Sequence, residues 1–156
     1  MNISKFTQKS VQAVQDLEKV AYEYGNQEIE EEHLLYALLT QEDSLILKLI
    51  EKMEIQKEYF IDTVKKALDA KVKVSGGELR FGQYLNKALV SAEDEAKAMG
   101  DEYVSVEHLF LFRRPQDRCQ CITEIHGADF LAFGRAYLSF LPGGIISHTP
   151  ANRQAL

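Results

Sequence analysis

Two acid–histidine pairs are the residues of this sequence whose side chains could do chemistry together. Glu32 precedes His33, and Glu107 precedes His108. Carboxylates and imidazoles are side chains that proteins use for proton transfer and for binding metal ions. Neighbours on a helix, however, point about 100° apart, so neither pair can converge on one ion or one reacting atom. We therefore expect both histidines to be packed or hydrogen-bonded, and we expect no metal site.

The other reactive side chains do not form a recognisable catalytic group. Cys119 and Cys121 are two positions apart, which fits neither a disulfide framework nor the two pairs of a typical zinc site. The pattern GxxxxGK followed by Ser or Thr, the loop that binds nucleotide phosphates, does not occur in the sequence. The sequence therefore predicts a binding protein rather than an enzyme, with no catalytic residues and no cofactor of its own.

The composition is that of an acidic globular protein. The 156 residues are 46% apolar, enough for one domain with a real core, and the formal charge is −6. That charge disfavours nucleic acid and acidic lipid surfaces as partners. The sequence has no apolar run of membrane-spanning length, and residues 1–24 alternate charged and apolar side chains, unlike a signal peptide. We expect a cytoplasmic protein that has no membrane partner.

An internal repeat contains both acid–histidine pairs. When the sequence is shifted by 75 positions, the Glu-His-Leu motif at Glu32 falls on the same motif at Glu107. Further matching pairs are Phe6 and Phe81, Gln8 and Gln83, Ala13 and Ala88, Gly25 and Gly100, and Ile29 and Val104. A repeat at this distance indicates two copies of one structural unit.

Helical periodicity dominates each copy. Apolar residues at helical spacing predict that each copy opens with two helices and that the first copy contains four. Gly25 and Gly100 follow the first helix of their copies, where a left-handed helix end favours glycine. Thr7 precedes the first helix as an N-cap, which contributes about 1 kcal/mol. The predicted fold class is all-α, with two pseudo-repeats of four helices each.

The second copy is secure only as far as Leu111. The predicted divisions are a first copy (1–70), a linker (71–80), a second copy (81–141) and an irregular tail (142–156). All 12 lysines precede Leu111, whereas five of the six arginines, all three prolines and both cysteines follow it. The segment after Leu111 is either a divergent half-repeat or a stretch translated from a shifted reading frame. The sequence leaves both explanations open.

The chain resembles the Clp N-terminal domain, most closely its ClpB branch, over residues 1 to about 111. The resemblance rests on the segments KFTQKS at the start, EHLLYALL in the second helix and DEYVSVEHL in the second copy. It implies a domain that is tethered above a hexameric ATPase ring and captures unfolded or aggregated proteins. ATP, Mg²⁺ and the ring contacts belong to the family's ATPase domains, so the isolated domain is expected to be a monomer.

The resemblance also implies which residues handle substrate. The family's substrate-handling positions match Thr7, Asp101 and Glu107, and Glu32 is the repeat counterpart of Glu107. In the related ClpC branch, the two glutamates bind phosphorylated arginine. Here the second copy has Gly82 where it should repeat Thr7, so that chemistry is not expected at the second copy.

The two glutamates have two possible explanations at the level of the residues. A carboxylate in the first turn of a helix gains about 0.3–1 kcal/mol from the helix dipole. It could equally pair with a guanidinium group of a bound protein, within an apolar groove rimmed by acids. The leading interpretation is a substrate-recruitment domain of a ClpB-type chaperone. A freestanding adaptor or regulator, and a ClpC-type domain that serves a Clp protease and its adaptor proteins, are the alternatives.

Overall fold

The computed structural model describes residues 2–52 and 54–110 of the chain. The elements are a 3-10 helix (Ile3–Lys5), α1 (Gln8–Tyr24), β1 (Glu28–Ile29), α2 (Glu31–Thr40), α3 (Leu45–Lys52), α4 (Lys57–Asp69), β2 (Arg80–Phe81), α5 (Gln83–Met99) and α6 (Val106–Phe110). The predicted helical class is thus confirmed, with four helices in the first copy and the first two of the second copy. Predictions for residues 111–156, including both accounts of the tail and the two cysteines, lie outside the described residues.

The first helices of the two copies, α1 and α5, end in the same way. Gly25 has a φ of 68° and Gly100 a φ of 80°, both in the left-handed region. An L side chain is disfavoured there, so glycine is the residue that stops the helix at low cost. At the other end, the hydroxyl of Thr7 accepts a hydrogen bond from the backbone N–H of Ser10 and caps α1. The predicted caps are confirmed.

One continuous hydrophobic core joins the two copies. Helix α2 lies at its centre, with Leu34, Leu38 and Leu39 fully or almost fully buried. Leu17 of the first copy and Leu89 of the second belong to the same cluster. Because the apolar faces of α1, α2 and α5 meet in one cluster, neither copy buries its apolar face alone.

Short parallel strand contacts, which the helical periodicity did not predict, link the copies reciprocally. Strand β1 of the first copy pairs with β2 of the second, so that Ile29 lies opposite Phe81. Their repeat counterparts form the matching contact, an isolated parallel bridge between Phe6 and Val104. Each copy therefore hydrogen-bonds its entry segment to the loop before the second helix of the other copy.

The connection between the copies lies against the first copy. The backbone N–H of Val74 donates to the carbonyl of Gly25 at 3.0 Å, and the side-chain amide of Asn26 donates to the carbonyl of Val72 at 3.2 Å. Arg80, the last residue of the predicted linker, already belongs to β2. Within residues 2–52 and 54–110, no helix is long and apolar enough to cross a membrane.

Candidate functional site

The two histidines cap the helices on which they lie. Nδ1 of His33 accepts a hydrogen bond from the backbone N–H of Glu30 at 2.9 Å, and Nδ1 of His108 accepts one from the backbone N–H of Ser105 at 2.9 Å. Glu30 and Ser105 directly precede helices α2 and α6, so each histidine occupies the position from which a capping box reaches back. The expectation that both histidines are buried and hydrogen-bonded is confirmed.

The far nitrogen of each ring bonds to the loop that precedes the helix. Since Nδ1 accepts, Nε2 carries the proton and donates, to Oδ1 of Asn26 from His33 (3.1 Å) and to Oδ2 of Asp101 from His108 (3.0 Å). Burial lowers the pKa of His33, and the positive charge of Lys71 lowers it further. Each histidine thus fixes one helix start against one loop.

Glu32 lies in the first turn of α2, as predicted, and is buried. Its Oε2 is 2.9 Å from Nζ of Lys71, which also forms an ion pair with Glu30. The side chains of Lys71 and Glu32 are only 18% and 11% exposed. The carboxylate of Glu32 therefore already has a cation from the same chain.

Glu107, the repeat counterpart of Glu32, has a different environment. It lies in the first turn of α6 and is 5% exposed. Its Oε2 is buried and has no hydrogen-bond partner among the described residues. A buried carboxylate oxygen without a partner retains the cost of its desolvation, about 1–3 kcal/mol. This cost makes the site one that gains free energy when a cation or hydrogen-bond donor arrives.

Thr7 and Glu107 line the same surface depression, whose volume is about 430 Å³. The strand bridge between the copies brings them together, because the backbone N–H of Thr7 donates to the carbonyl of Val104 at 2.9 Å, just before α6. Leu45 and Val106 contribute apolar surface to the depression. Two of the four predicted site residues are thus neighbours in space, although they come from opposite ends of the described chain.

Two lysines on the wall of this depression contact an aspartate rather than Glu107. Nζ of Lys9 donates to the backbone carbonyl of Asp43 at 3.2 Å, and Lys48 forms an ion pair with the carboxylate of Asp43. All three residues line the depression. The depression is therefore lined by apolar surface from Leu45 and Val106, one buried carboxylate and an exposed ion pair.

The structure does not bring Asp101 and Glu32 into that depression. Asp101 lines a neighbouring one of about 400 Å³ with Lys5, Glu93 and Tyr103, among other residues. It is joined to the Glu107 helix through His108, the next residue along the chain. Glu32 is at the start of α2, against Lys71. The four predicted residues thus occupy three places.

The sequence alone did not single out Lys71, Lys9, Asp43 or Lys48. Lys71 was assigned to the linker, Lys9 entered only as part of the segment KFTQKS, and no motif marks Asp43 or Lys48. A lysine next to a helix end carries no signal about which carboxylate it will reach, because that partner is set by packing rather than by spacing.

Gly82 occupies the position that Thr7 has in the first copy, and its surroundings are tight. A Cβ at Gly82 would lie 3.1 Å from the backbone carbonyl oxygen of Ile29 and 3.1 Å from Oε1 of Glu28. Thr7 makes the equivalent backbone hydrogen bond with its side chain in place, so the close Glu28 side chain, rather than the strand pair, distinguishes the two positions. The second copy therefore has no hydroxyl cap at this helix start.

The described residues contain no cluster of three His, Cys, Asp or Glu side chains that could hold a metal ion.

Comparison with protein families gives a match over residues 5–112 to the Clp repeat N-terminal domain. Among curated relatives, the chaperone protein ClpB of Nitratidesulfovibrio vulgaris is 40% identical over 115 residues, which cover 70% of this chain and 13% of the relative. The ClpB of Porphyromonas gingivalis is 40% identical over 111 residues, which cover 71% and 13%. The chain thus spans about an eighth of the length of these relatives.

Two solved structures show the same fold. The N-terminal domain of Hsp104 from Candida albicans superposes with a TM-score of 0.75 at 18% identity, covering 90% of this chain and 93% of that one. The N-terminal domain of the ClpV1 ATPase from E. coli superposes with a TM-score of 0.65 at 20% identity, covering 96% and 86%. At these identities the likeness concerns the fold.

Proposed function

Since this chain belongs to the Clp repeat N-terminal domain family, we propose that it is the substrate-recruitment domain of a ClpB-type ATP-dependent chaperone. In this role it binds exposed apolar or basic segments of unfolded or aggregated proteins and delivers them to a motor. Adaptor proteins are further candidate partners. The chain itself performs no catalysis, and ATP hydrolysis belongs to the ATPase domains, which in the ClpB relatives lie outside the aligned region.

The observation that carries the proposal is the depression shared by Thr7 and Glu107. It combines apolar surface from Leu45 and Val106 with a carboxylate that is 5% exposed and has an oxygen without a hydrogen-bond partner among residues 2–52 and 54–110. An arginine or lysine of a bound segment would supply the missing donor, and its apolar neighbours would cover the apolar surface. Binding by one charge contact and apolar area tolerates many sequences, as a recruitment domain requires.

We assign different roles to the four residues that were expected to handle substrate. Thr7 and Glu107 contact the bound segment in the shared depression. Asp101 positions Glu107, because its hydrogen bond to His108 fixes the start of α6. Glu32 is the corresponding carboxylate of the first copy, and Lys71 is paired with it in the free chain.

The test is the binding of a permanently unfolded protein to the complete 156-residue chain. Reduced and carboxymethylated α-lactalbumin, labelled with a fluorophore, is titrated with the chain and followed by fluorescence anisotropy. We expect weak binding, with a Kd on the order of micromolar. The substitution Glu107→Gln should weaken it by about tenfold, the value of one charge-assisted hydrogen bond.

Glu18→Gln is the matched control. Glu18 is an exposed acid of α1 that lines neither the Thr7–Glu107 depression nor the one that contains Asp101. Both variants remove one negative charge, so a general effect of net charge would appear equally in both. Equal Kd values for the wild-type chain and Glu107→Gln would rule out Glu107 as the binding carboxylate.

A further inference from the structure

The carboxylates at the start of α2 are occupied by a residue of the chain itself. Nζ of Lys71 forms ion pairs with Glu30 and with Glu32, and only 18% of the lysine side chain is exposed. Because the lysine is only 18% exposed and lies between two carboxylates, water and salt screen these ion pairs less than they screen an exposed pair. Lys71 is therefore a fixed ligand of this acidic group.

Backbone contacts hold Lys71 in this position from both sides. Its own N–H donates to the carbonyl of Leu68 at 3.2 Å, at the end of α4. Three residues later, the N–H of Val74 donates to the carbonyl of Gly25, and between them the carbonyl of Val72 accepts from the side chain of Asn26. Because three hydrogen bonds hold this segment, Lys71 lies beside Glu32 and little further conformational entropy is lost when the ion pair forms.

The charge of Lys71 is stabilised where it lies. Burial alone would lower its pKa, but the hydrogen bonds and negative charges of Glu30 and Glu32 outweigh burial and raise the pKa of Lys71. The lysine thus remains a cation at neutral pH. An incoming arginine or lysine at Glu32 would have to displace it.

The second copy lacks this arrangement in the part that the structure describes. The counterparts of Glu30 and Glu31 are Ser105 and Val106, so Glu107 is the only acid at the start of α6. The lysines that line its depression contact Asp43 instead. Both glutamates are buried, and they differ in their charge partners: Glu32 forms an ion pair with Lys71, whereas no ion pair of Glu107 is found among residues 2–52 and 54–110.

We propose that Lys71 is an internal competitor that closes the Glu32 site and confines basic segments of bound proteins to the Glu107 site. This inference rests on the proposed function, because it concerns which of the two glutamates receives the incoming cation. Of the two copies of the Glu-His-Leu motif, only the second then binds a basic segment. Lys71 is then a specificity-determining residue, since it decides how many basic segments one chain binds.

The experiment counts binding sites on the complete chain for a fluorescent, unstructured peptide that contains one arginine within a Gly/Ser/Leu sequence. We expect one peptide per wild-type chain, a loss of about tenfold in affinity in Glu107→Gln, and less than a twofold change in Glu32→Gln. Lys71→Met keeps the apolar stem and removes the charge, and it should bind two peptides. Lys73→Met, on the same segment but exposed and 3.7 Å from Asp69, is the control and should bind one.

A second variant avoids the repulsion that the loss of Lys71 leaves between Glu30 and Glu32. In Glu30→Gln/Lys71→Gln, Glu32 keeps its charge, whereas the lysine and the second carboxylate with which it forms ion pairs are both neutral. Circular dichroism establishes that each variant is folded before it is titrated. The double variant should also bind two peptides, and Glu32→Gln added to it should return the number to one.

The outcomes separate the two proposals. If the wild-type chain binds at Glu107 but the folded Lys71 variants gain no site, the role of Lys71 is refuted and the proposed function stands. If the wild-type chain binds nothing but the Lys71 variants bind one peptide at Glu32, the role of Lys71 stands and the Glu107 site is refuted. A Glu32→Gln change that weakens wild-type binding as much as Glu107→Gln refutes the closure of the Glu32 site.

Discussion

The imidazole of His108 donates from Nε2 to the carboxylate of Asp101 at 3.0 Å. Its repeat counterpart, His33, donates from Nε2 to the neutral side-chain amide of Asn26. The His108–Asp101 bond ties the loop after α5 to the helix that carries Glu107. Because the histidine is fully buried and the Asp101 side chain is only 15% exposed, the contact is largely shielded from water. The second copy thus relies on an ionisable group for a connection that is neutral in the first.

Replacement of Asp101 by alanine should destabilise the chain. Asp101→Ala leaves the buried Nε2–H of His108 without its acceptor, so we expect the free energy of unfolding to fall by about 1–3 kcal/mol. Urea denaturation followed by circular dichroism measures this difference. Asp94→Ala, which removes an exposed aspartate 3.7 Å from Lys97, is the control and should change it by less than about 0.5 kcal/mol. Equal effects in the two variants would contradict the structural role of the Asp101–His108 bond.

The stability of the chain should decrease as the pH falls below about 6.5, in part because of His33. Burial and the charge of Lys71 lower the pKa of His33 in the folded state. Between that lowered pKa and about 6.5, the unfolded chain binds a proton that the folded chain does not, so the free energy of unfolding rises with pH in this window. The slope for one such group is at most about 1.4 kcal/mol per pH unit.

The variant His33→Gln isolates this contribution, since glutamine at the same position can still accept from the N–H of Glu30. Urea denaturation at pH 7.5, 6.5 and 5.5 gives the pH dependence for both proteins. The wild-type chain should lose more stability than His33→Gln between the first and last pH. Parallel curves for the two proteins would show that His33 keeps its ordinary pKa when folded.

The two repeated glutamates should respond oppositely to the same isosteric change. Glu32→Gln leaves Lys71 with one carboxylate instead of two, so we expect the free energy of unfolding to fall by about 1–3 kcal/mol. Glu107→Gln removes a buried charge whose Oε2 has no described partner. Removal of this desolvated charge stabilises the folded chain and offsets the lost interaction with the helix dipole, about 0.3–1 kcal/mol. The free energy of unfolding should therefore stay constant or rise slightly.

Thermal and urea unfolding of both variants, in the absence of any peptide, measure this contrast. A Glu107→Gln variant that loses as much stability as Glu32→Gln would mean that Glu107 is held by a cation as firmly as Glu32 is. Such a result would argue against an open binding site at Glu107.

Substitutions at the two N-cap residues Thr7 of α1 and Gly82 of α5 should have unequal effects on stability. Gly82→Thr would introduce a Cβ 3.1 Å from the carbonyl oxygen of Ile29 and 3.1 Å from Oε1 of Glu28, so the Glu28 side chain would have to move. We expect a loss of about 1–3 kcal/mol, although the new hydroxyl could cap α5. Thr7→Gly removes a hydroxyl cap and should cost only a few tenths of a kcal/mol, since glycine is itself accepted at this position. Urea denaturation compares them, and a stabilised Gly82→Thr chain would contradict the steric explanation.

Local features of this protein were predictable because they depend on neighbours in the chain. The ends of α1 and α5 follow from Gly25 and Gly100, whose backbone conformation disfavours other residues. The cap at Thr7 and the first-turn positions of Glu32 and Glu107 follow from helical spacing in the same way. The hydrogen bonds of the two histidines are local as well, because each ring accepts from a backbone N–H three residues earlier in the chain.

Tertiary structure alone decided which of these residues meet. Periodicity tells which face of a helix is buried but not what that face contacts, so neither the pairing of Lys71 with Glu32 nor the shared depression of Thr7 and Glu107 could be derived from the sequence. The shared depression depends on the strand bridge between Phe6 and Val104, whereas the Lys71–Glu32 pair depends on the contacts of the connection with Gly25 and Asn26. The sequence by itself determined that the chain carries two matching glutamates, because the repeat is visible in the order of residues. Their unequal environments arise from packing, because Lys71, in the connection between the copies, contacts Glu32 and not Glu107.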